Sequence, residues 1–275
     1  MVVDETYKVL IESYDVNGYG VCHINDLVVF VYNALVGEEV ICKITNAHKR
    51  YAFAECIKVL KRSEHRIEPV CPYYGLCGGC DLMHVDYETE CEIKKNKLKL
   101  SLRMFPNCKI NDIISSKAIL GYRNKVMVPF GIDDDDNRIW GFYRKNSHDI
   151  ISMDKCLISN DLSNKIINFI NRYLNIFHIS IYNEVKHSGL FREIMIRYTA
   201  LNEYMIVLVT TRDYDFSELI KYLIAEFKEI KSIYLNINDK KTNVVLSNEY
   251  KLLYGNYTIT EDILGLKFNA SKAAK

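Results

Sequence analysis

Three of the nine cysteines and three of the twelve glycines fall within ten residues, Cys71-Pro72-Tyr73-Tyr74-Gly75-Leu76-Cys77-Gly78-Gly79-Cys80. Thiolates bind soft metals and iron–sulfur clusters, and a C-x5-C-x2-C run supplies three of the four ligands such a centre takes. Gly78 and Gly79 give the turn between the last two ligands its backbone freedom and let amide N–H groups approach the sulfurs. The plainer alternative is three buried thiols beside a turn, since cysteine often serves as a small apolar residue. Crowding around paired glycines favours the metal. Zinc ribbons pair two close cysteine couples, and only Cys77 and Cys80 form one here, so the spacing favours iron–sulfur over zinc. From spacing, the fourth ligand is open among His84, Cys91, Cys108 and Cys156.

A second chemistry is polyanion binding. His48-Lys49-Arg50-Tyr51 sets cations beside a ring, which suits phosphate contact plus base stacking as well as it suits a solvated basic turn. Arg123, Lys125, Arg144, Lys145 and Arg192 border strands and are candidate phosphate or base contacts, although each alone is an ordinary surface residue type. Lys94, Lys95, Lys97, Lys99 and Arg103 line a helix that is either solvated or phosphate-contacting. No Gly-rich strand-to-helix loop is present, so a dinucleotide or adenosyl cofactor fold has no glycine fingerprint.

The 275 residues are 49% hydrophobic and 26% charged, which describes a globular chain rather than a disordered or fibrous one. A net charge of +1 confines nucleic-acid contact to local patches. The start lacks signal-peptide organisation and the longest apolar run, residues 27–32, is far too short to span a bilayer. The expectation is a cytoplasmic protein with no membrane partner. Nine cysteines, an odd number with one tight cluster, fit a reducing compartment better than a disulfide framework.

The elements that must position these residues read as follows. Five short strands, at 7–12, 19–24, 27–32, 38–45 and 51–60, with turns at Asn17-Gly18, Asn25-Asp26 and Val36-Gly37, predict a small OB-like barrel. A helical period runs from Tyr87 through Cys91, Lys94 and Leu98 to Leu102. Beyond Gly121, strands at 121–129, 138–145, 190–199, 203–210, 232–237 and 243–246 alternate with helices at 161–177 and 216–230. This predicts an α+β domain with a mainly antiparallel sheet, its second helix opened by a capping box of Asp215 and Glu218.

The run Cys71-Pro72…Cys77-Gly78-Gly79-Cys80-Asp81-Leu82-Met83-His84…Tyr87…Glu90…Lys94 resembles the iron–sulfur signature of bacterial RNA uracil-C5 methyltransferases, which make 5-methyluridine in 23S ribosomal RNA and, in relatives, in transfer RNA. Tyr122-Arg123-Asn124-Lys125, Gly141-Phe142-Tyr143-Arg144, Asp154-Lys155-Cys156-Leu157-Ile158, Gly189-Leu190-Phe191-Arg192 and Asn236-Ile237-Asn238…Thr242-Asn243 extend the likeness along the chain. The resemblance implies that the barrel is an RNA-binding TRAM domain. It implies a [4Fe-4S] cluster held by Cys71, Cys77, Cys80 and Cys156, with Cys91 left to packing. Position 91 is cysteine where the family more often has leucine, and Glu90 stands where glutamine is usual.

In that family a cysteine thiolate attacks C6 of a flipped-out uracil, C5 takes the methyl group from S-adenosylmethionine, and a base removes the C5 proton. No residue here matches the nucleophile, the base or the cofactor loop, so no catalytic position is assigned. The expected division is a TRAM-like barrel over 1–62, a cysteine loop and basic helix over 63–110, a central RNA-recognition domain over 111–268, and the truncated start of a missing, doubly wound S-adenosylmethionine domain over 269–275. The expected function is the RNA-recognition and iron–sulfur portion of the methyltransferase, inactive alone: a fragment, a truncated reading frame, or part of a split enzyme completed by a separate catalytic chain. The alternative is a stand-alone module, with a structural iron–sulfur or zinc centre, that binds ribosomal RNA.

Overall fold

A computed structural model describes residues 2–242 and 244–272. It divides into two compact units, one reaching to Gly75 and resuming over Cys80–Lys117, the other made of Leu76–Gly79 and the chain from Ala118 onward.

The first unit holds β1 (Thr6–Leu10), β2 (Ser13–Tyr14), β3 (Gly20–Ile24), β4 (Leu27–Tyr32), β5 (Glu39–Ala47), β6 (Tyr51–Lys61) and helix α1 (Tyr87–Ser101). The five expected strands are six, in the order β1-β5-β6-β4-β3-β2. The extra strand arises because the first one breaks at a corner. Ile11 exchanges backbone hydrogen bonds with the β5 side, accepting from Gly37 and donating to Glu38, whereas Glu12 donates to Val21 of β3. One bent segment thus serves both edges of the sheet and removes them. Asn25 and Asp26 both take positive φ, which gives the two-residue β3–β4 hairpin a twist matching its strands. Alternation sends Val29, Val31, Val40, Cys42, Ile44, Ala52 and Ala54 inward to one core.

Glu38 is fully buried at the head of β5. Its carboxylate accepts from Leu35 N–H at 2.9 Å, Ser63 N–H at 3.2 Å, and Arg66 Nε and Nη2 at 2.5 and 2.8 Å. Arg66 Nη2 also donates to Asn33 O at 2.7 Å. Burial raises the Glu38 carboxyl, but the Arg66 hydrogen bonds and the Leu35 amide outweigh it, leaving the group below its ordinary value. α1 is capped by Asp86, whose side chain accepts from Thr89 N–H, and it buries only Thr89 and Ile93.

The second unit is built on a seven-stranded sheet, together with a two-stranded hairpin. The sheet contains β7 (Lys125–Ile132), β8 (Arg138–Tyr143), β9 (Ile150–Ser152), β10 (Phe191–Tyr198), β11 (Tyr204–Thr210), β12 (Ile230–Ile237) and β13 (Tyr250–Gly255), in the order β13-β12-β11-β10-β7-β8-β9. Its pairs are antiparallel except β11 with β12, which are parallel. Helix α3 (Ser217–Glu226) lies between those two strands in sequence, as a parallel connection requires. Every residue of β11 is buried. Helix α2 (Asp161–Ile176) buries Ile166, Ile167, Ile170 and Leu174, and Trp140 Nε1 of β8 donates to its Asn168 Oδ1 at 2.7 Å.

Four sequence expectations change here. α3 stops at Glu226, not at 230, because Phe227 takes extended backbone and Ile230 opens β12. The Asp215–Glu218 capping box does not form: Asp215 Oδ1 accepts from Ser217 N–H, and Glu218 accepts from Tyr222 Oη. Residues 244–246 carry no strand, and Asn243, where that strand was to begin, lies outside the described residues. Gly265-Leu266-Lys267-Phe268 belongs to the hairpin of β14 (Thr258–Ile263) and β15 (Leu266–Ser271), so residues 269–271 end a strand.

Glu38→Gln removes the charge that Arg66 faces and leaves a guanidinium only 13% exposed without its partner. The expected loss is roughly 3–5 kcal/mol of stability, read as a lowered denaturant midpoint at pH 7. Because the native carboxyl is depressed, this contribution is complete above the ordinary pKa of 4.5 and disappears as pH falls through the lowered value. A variant as stable as the parent would remove the pair's structural role.

Candidate nucleic-acid interface and cysteine loop

Around the cysteine run, each unit makes its own contacts. In the first, residues 65–67 pair with 84–86: Ile67 N–H donates to His84 O, Asp86 N–H to His65 O, and Arg66 bridges Val85 antiparallel. Tyr74 N–H turns back to Cys71 O at 3.1 Å, and Gly75 follows at φ 82°. Tyr74 Oη donates to Asp81 O at 2.8 Å and lies 2.5 Å from His84 Nδ1. With the hydroxyl proton used on Asp81, Nδ1–H is the donor to Tyr74, which leaves the His84 Nε2 lone pair facing inward. That nitrogen is buried without a hydrogen-bond partner among the described residues. Burial first, then the Arg66 charge, hold the imidazole down at about 4.

In the second unit, Gly78 N–H donates to Tyr143 O at 3.0 Å and Cys77 bridges Arg144 antiparallel. A Cβ at Gly78 would stand 3.2 Å from Lys145 Cα, a tight fit that the neighbouring backbone would have to ease by a few tenths of an ångström. Gly79 N–H points at Cys77 Sγ, 3.3 Å away. Cys156 is buried, and Asn164 of α2 holds its backbone on both sides, accepting from its N–H at 2.9 Å and donating to its C=O at 3.0 Å.

The expected ligands therefore divide, Cys71 and Cys80 in the first unit, Cys77 and Cys156 in the second. Among the described residues, no group of three or more His, Cys, Asp or Glu side chains is placed to hold a metal ion. The [4Fe-4S] cluster read from spacing and resemblance finds no support in this arrangement, although thiolates with an amide N–H on sulfur are a donor set that a soft centre uses.

The candidate cations separate into three groups. Lys49 and Arg50 are exposed in the β5–β6 turn, beside Tyr51 at 38% exposure. Neither cation has an ion-pair partner among the described residues. Arg123 and Lys125 at the start of β7, and Arg144 and Lys145 beyond the end of β8, share one end of an antiparallel pair. Arg123 and Lys125 are half-buried, and Arg144 and Lys145 are exposed. Arg192 differs. It is 7% exposed, donates to Asn238 O and Lys240 O at 2.8 and 3.1 Å, and packs 4.3 Å over the Tyr182 ring. These contacts tie Arg192 Nη1 to the 238–240 turn and leave little of the side chain exposed.

Sequence reading missed the companions of Tyr51. Phe30 and Phe53 lie opposite each other on β4 and β6, and Val28 faces Tyr51. Phe30 and Phe53 are 5.4 Å apart between ring centroids, Tyr51 and Phe53 5.7 Å, and His48 and Tyr51 4.5 Å. With Val29, Val31, Ala52 and Ala54 pointing to the core, these rings stand on the barrel's outer face.

Residues 3–57 match the TRAM domain family. Over 273 residues, 96% of this chain, the sequence is 39% identical to an RNA methyltransferase of Clostridium acetobutylicum, and over 98% of the chain it is 35% identical to one of Caldanaerobacter subterraneus subsp. tengcongensis. The chain is similar to RNA methyltransferases over nearly its whole length. It spans about 60% of the length of those relatives. Its fold is similar to that of Pyrococcus abyssi tRNA (uracil-54, C5)-methyltransferase solved with S-adenosyl-L-homocysteine, with a TM-score of 0.73 at 22% identity, covering 97% of this chain and 60% of that one.

These matches overturn two expectations that rested on where the sequence stops. The likeness to RNA methyltransferases runs through nearly the whole chain, so neither an inactive portion nor a stand-alone binding module stands as its function. The expected absence of an S-adenosylmethionine domain, which rested on where the sequence stops, is withdrawn with them: the fold likeness covers 97% of this chain and 60% of that one. A truncated reading and a separate catalytic chain have no support. Among the described residues, no helix is long and apolar enough to cross a membrane.

A buried imidazole held at about 4 against 6.5 in the unfolded chain makes stability fall as pH drops from about 6.5 toward 4, by up to about tenfold in the folded-to-unfolded ratio per pH unit. Denaturant titrations across that window should show the slope in the parent and a flatter curve in His84→Gln. Equal slopes would exclude His84 as the group responsible.

Proposed function

We propose that the protein is an S-adenosylmethionine-dependent RNA methyltransferase that makes 5-methyluridine, with ribosomal RNA as its substrate. The carrying observation is 39% identity to an RNA methyltransferase over 96% of the chain, which includes the TRAM domain. The choice of uracil C5 is supported by the sequence likeness around Cys71–Lys94. In the reaction, the methyl group leaves the sulfonium of S-adenosylmethionine for uracil C5, the C5 proton is lost, and S-adenosylhomocysteine departs. No residue of this chain is assigned to that chemistry. Its assigned work is holding RNA, through Lys49, Arg50 and Tyr51 on the barrel and through Arg123, Lys125, Arg144 and Lys145 at the β7–β8 end of the sheet. The expected location is the cytoplasm.

Incubation of the protein with ribosomal RNA and methyl-labelled S-adenosylmethionine should place label in 5-methyluridine on nucleoside mass spectrometry. Label in transfer RNA alone would move the substrate, and no label in any uracil would overturn the proposal.

The cysteine set Cys71, Cys77, Cys80 and Cys156 is proposed as thiolate ligands of a [4Fe-4S] cluster on spacing and resemblance. Anaerobically purified protein is then expected to carry about four irons per chain, and Cys156→Ser to lose them. Iron-free protein, or zinc in its place, would refute the cluster.

A further inference from the structure

The outer face of β3, β4 and β6 carries rings where a small barrel in water ordinarily carries polar side chains. Register places Val21 opposite Phe30 and Phe30 opposite Phe53, one apolar row across three strands, and beside it His23 opposite Val28 and Val28 opposite Tyr51. Tyr51 sets its edge toward both Phe30 and Phe53, at 6.1 and 5.7 Å with interplanar angles of 70° and 87°. His48 lies tilted by 31° against Tyr51, 4.5 Å away. The turn that carries His48 is closed by His48 N–H to Tyr51 O at 2.9 Å, which fixes the two unpaired cations, Lys49 and Arg50, at the border of the rings. Two acidic groups border the face: Glu12 pairs with His23 at 2.9 Å, and Glu55 follows Phe53 on the same side of β6, opposite Tyr32.

We propose that this face is a stacking platform for the unpaired bases of single-stranded RNA, with Phe30, Tyr51, Phe53 and His48 as the ring surface and Lys49 and Arg50 on the flanking phosphates. The proposal deepens the RNA-binding reading above and rests on it. Rings favour this occupant because each nucleobase offers a π-face, whereas a paired helix keeps its bases stacked on one another and presents only backbone and groove edges. The neighbouring cations supply the phosphate attraction that rings lack. An apolar protein partner would leave Lys49 and Arg50 without complement.

The test measures binding of the full chain to a labelled twelve-nucleotide single strand of RNA and to a duplex of the same length, over a salt series. The single strand should bind more tightly. Tyr51→Ala and Phe30→Ala should each weaken it by about tenfold with the salt slope unchanged, while Tyr51→Phe keeps parental affinity. Lys49→Ala with Arg50→Ala should instead flatten the salt slope, by about 0.7 for each phosphate no longer neutralised. Circular dichroism of each variant confirms the fold, and exposed Tyr51 serves where half-buried Phe30 fails it. Ring variants that bind like the parent would overturn the platform and leave the RNA reading intact. Ring variants that change only the sedimentation coefficient would make the face a contact between copies and overturn it likewise. No binding of either RNA would overturn both.

Discussion

A buried carboxylate decides how the chain leaves the barrel. Glu38 sits at the entry to β5 with no exposure, and four donors converge on it from Leu35, Ser63 and the Arg66 guanidinium. A lone charge there would cost several kcal/mol, so the site tolerates Glu38 only while Arg66 is in place. Holding Arg66 also holds its neighbours. Residues 65–67 pair with 84–86, Asp86 caps α1, and the first and last stretches of the cysteine run are closed at their base by that short ladder. One ion pair thus connects the barrel's strand order to the path of the following loop.

The barrel has a second economy. Its core is filled by small and β-branched residues, Val29, Val31, Ala52, Ala54 and Cys42 among them, which lets the larger rings of the same strands turn outward without emptying the interior. Of these rings Tyr51 is exposed and Phe30 and Phe53 are half-buried. Two cations at the border of the rings, without ion-pair partners among the described residues, suit the polyanion with flat, apolar faces that is proposed as the ligand. Similarity to RNA methyltransferases over nearly the whole chain agrees with that chemistry.

Much of this was legible before any coordinates, and the omissions have physical reasons. Turn residues and alternation marked most strands, and the period of α2 marked its buried face. The corner at Ile11–Glu12 was not visible, because an apolar and an acidic residue in sequence carry no sign that one hydrogen-bonds to β5 and the next to β3. The apolar run at residues 27–32 marked a strand between turns. What it could not show is the parallel pairing with β6 that sets Phe53 beside Phe30. Arg192 reads on paper like any other strand-border cation; only the carbonyls of Asn238 and Lys240, more than forty positions away, reveal it as a fastening. Inferring function from the last residues of the sequence failed for a different reason: an end point carries no chemistry.

The central claim is that RNA lies on the ringed face of the barrel. Ultraviolet cross-linking of the protein to single-stranded RNA, followed by mass spectrometry of the RNA-bearing peptides, reads that contact directly, since an aromatic side chain stacked on a base is held at the distance such an adduct needs. The account predicts adducts on Phe30, Tyr51 or Phe53. Adducts confined to the second unit, with none between residues 21 and 53, would contradict it.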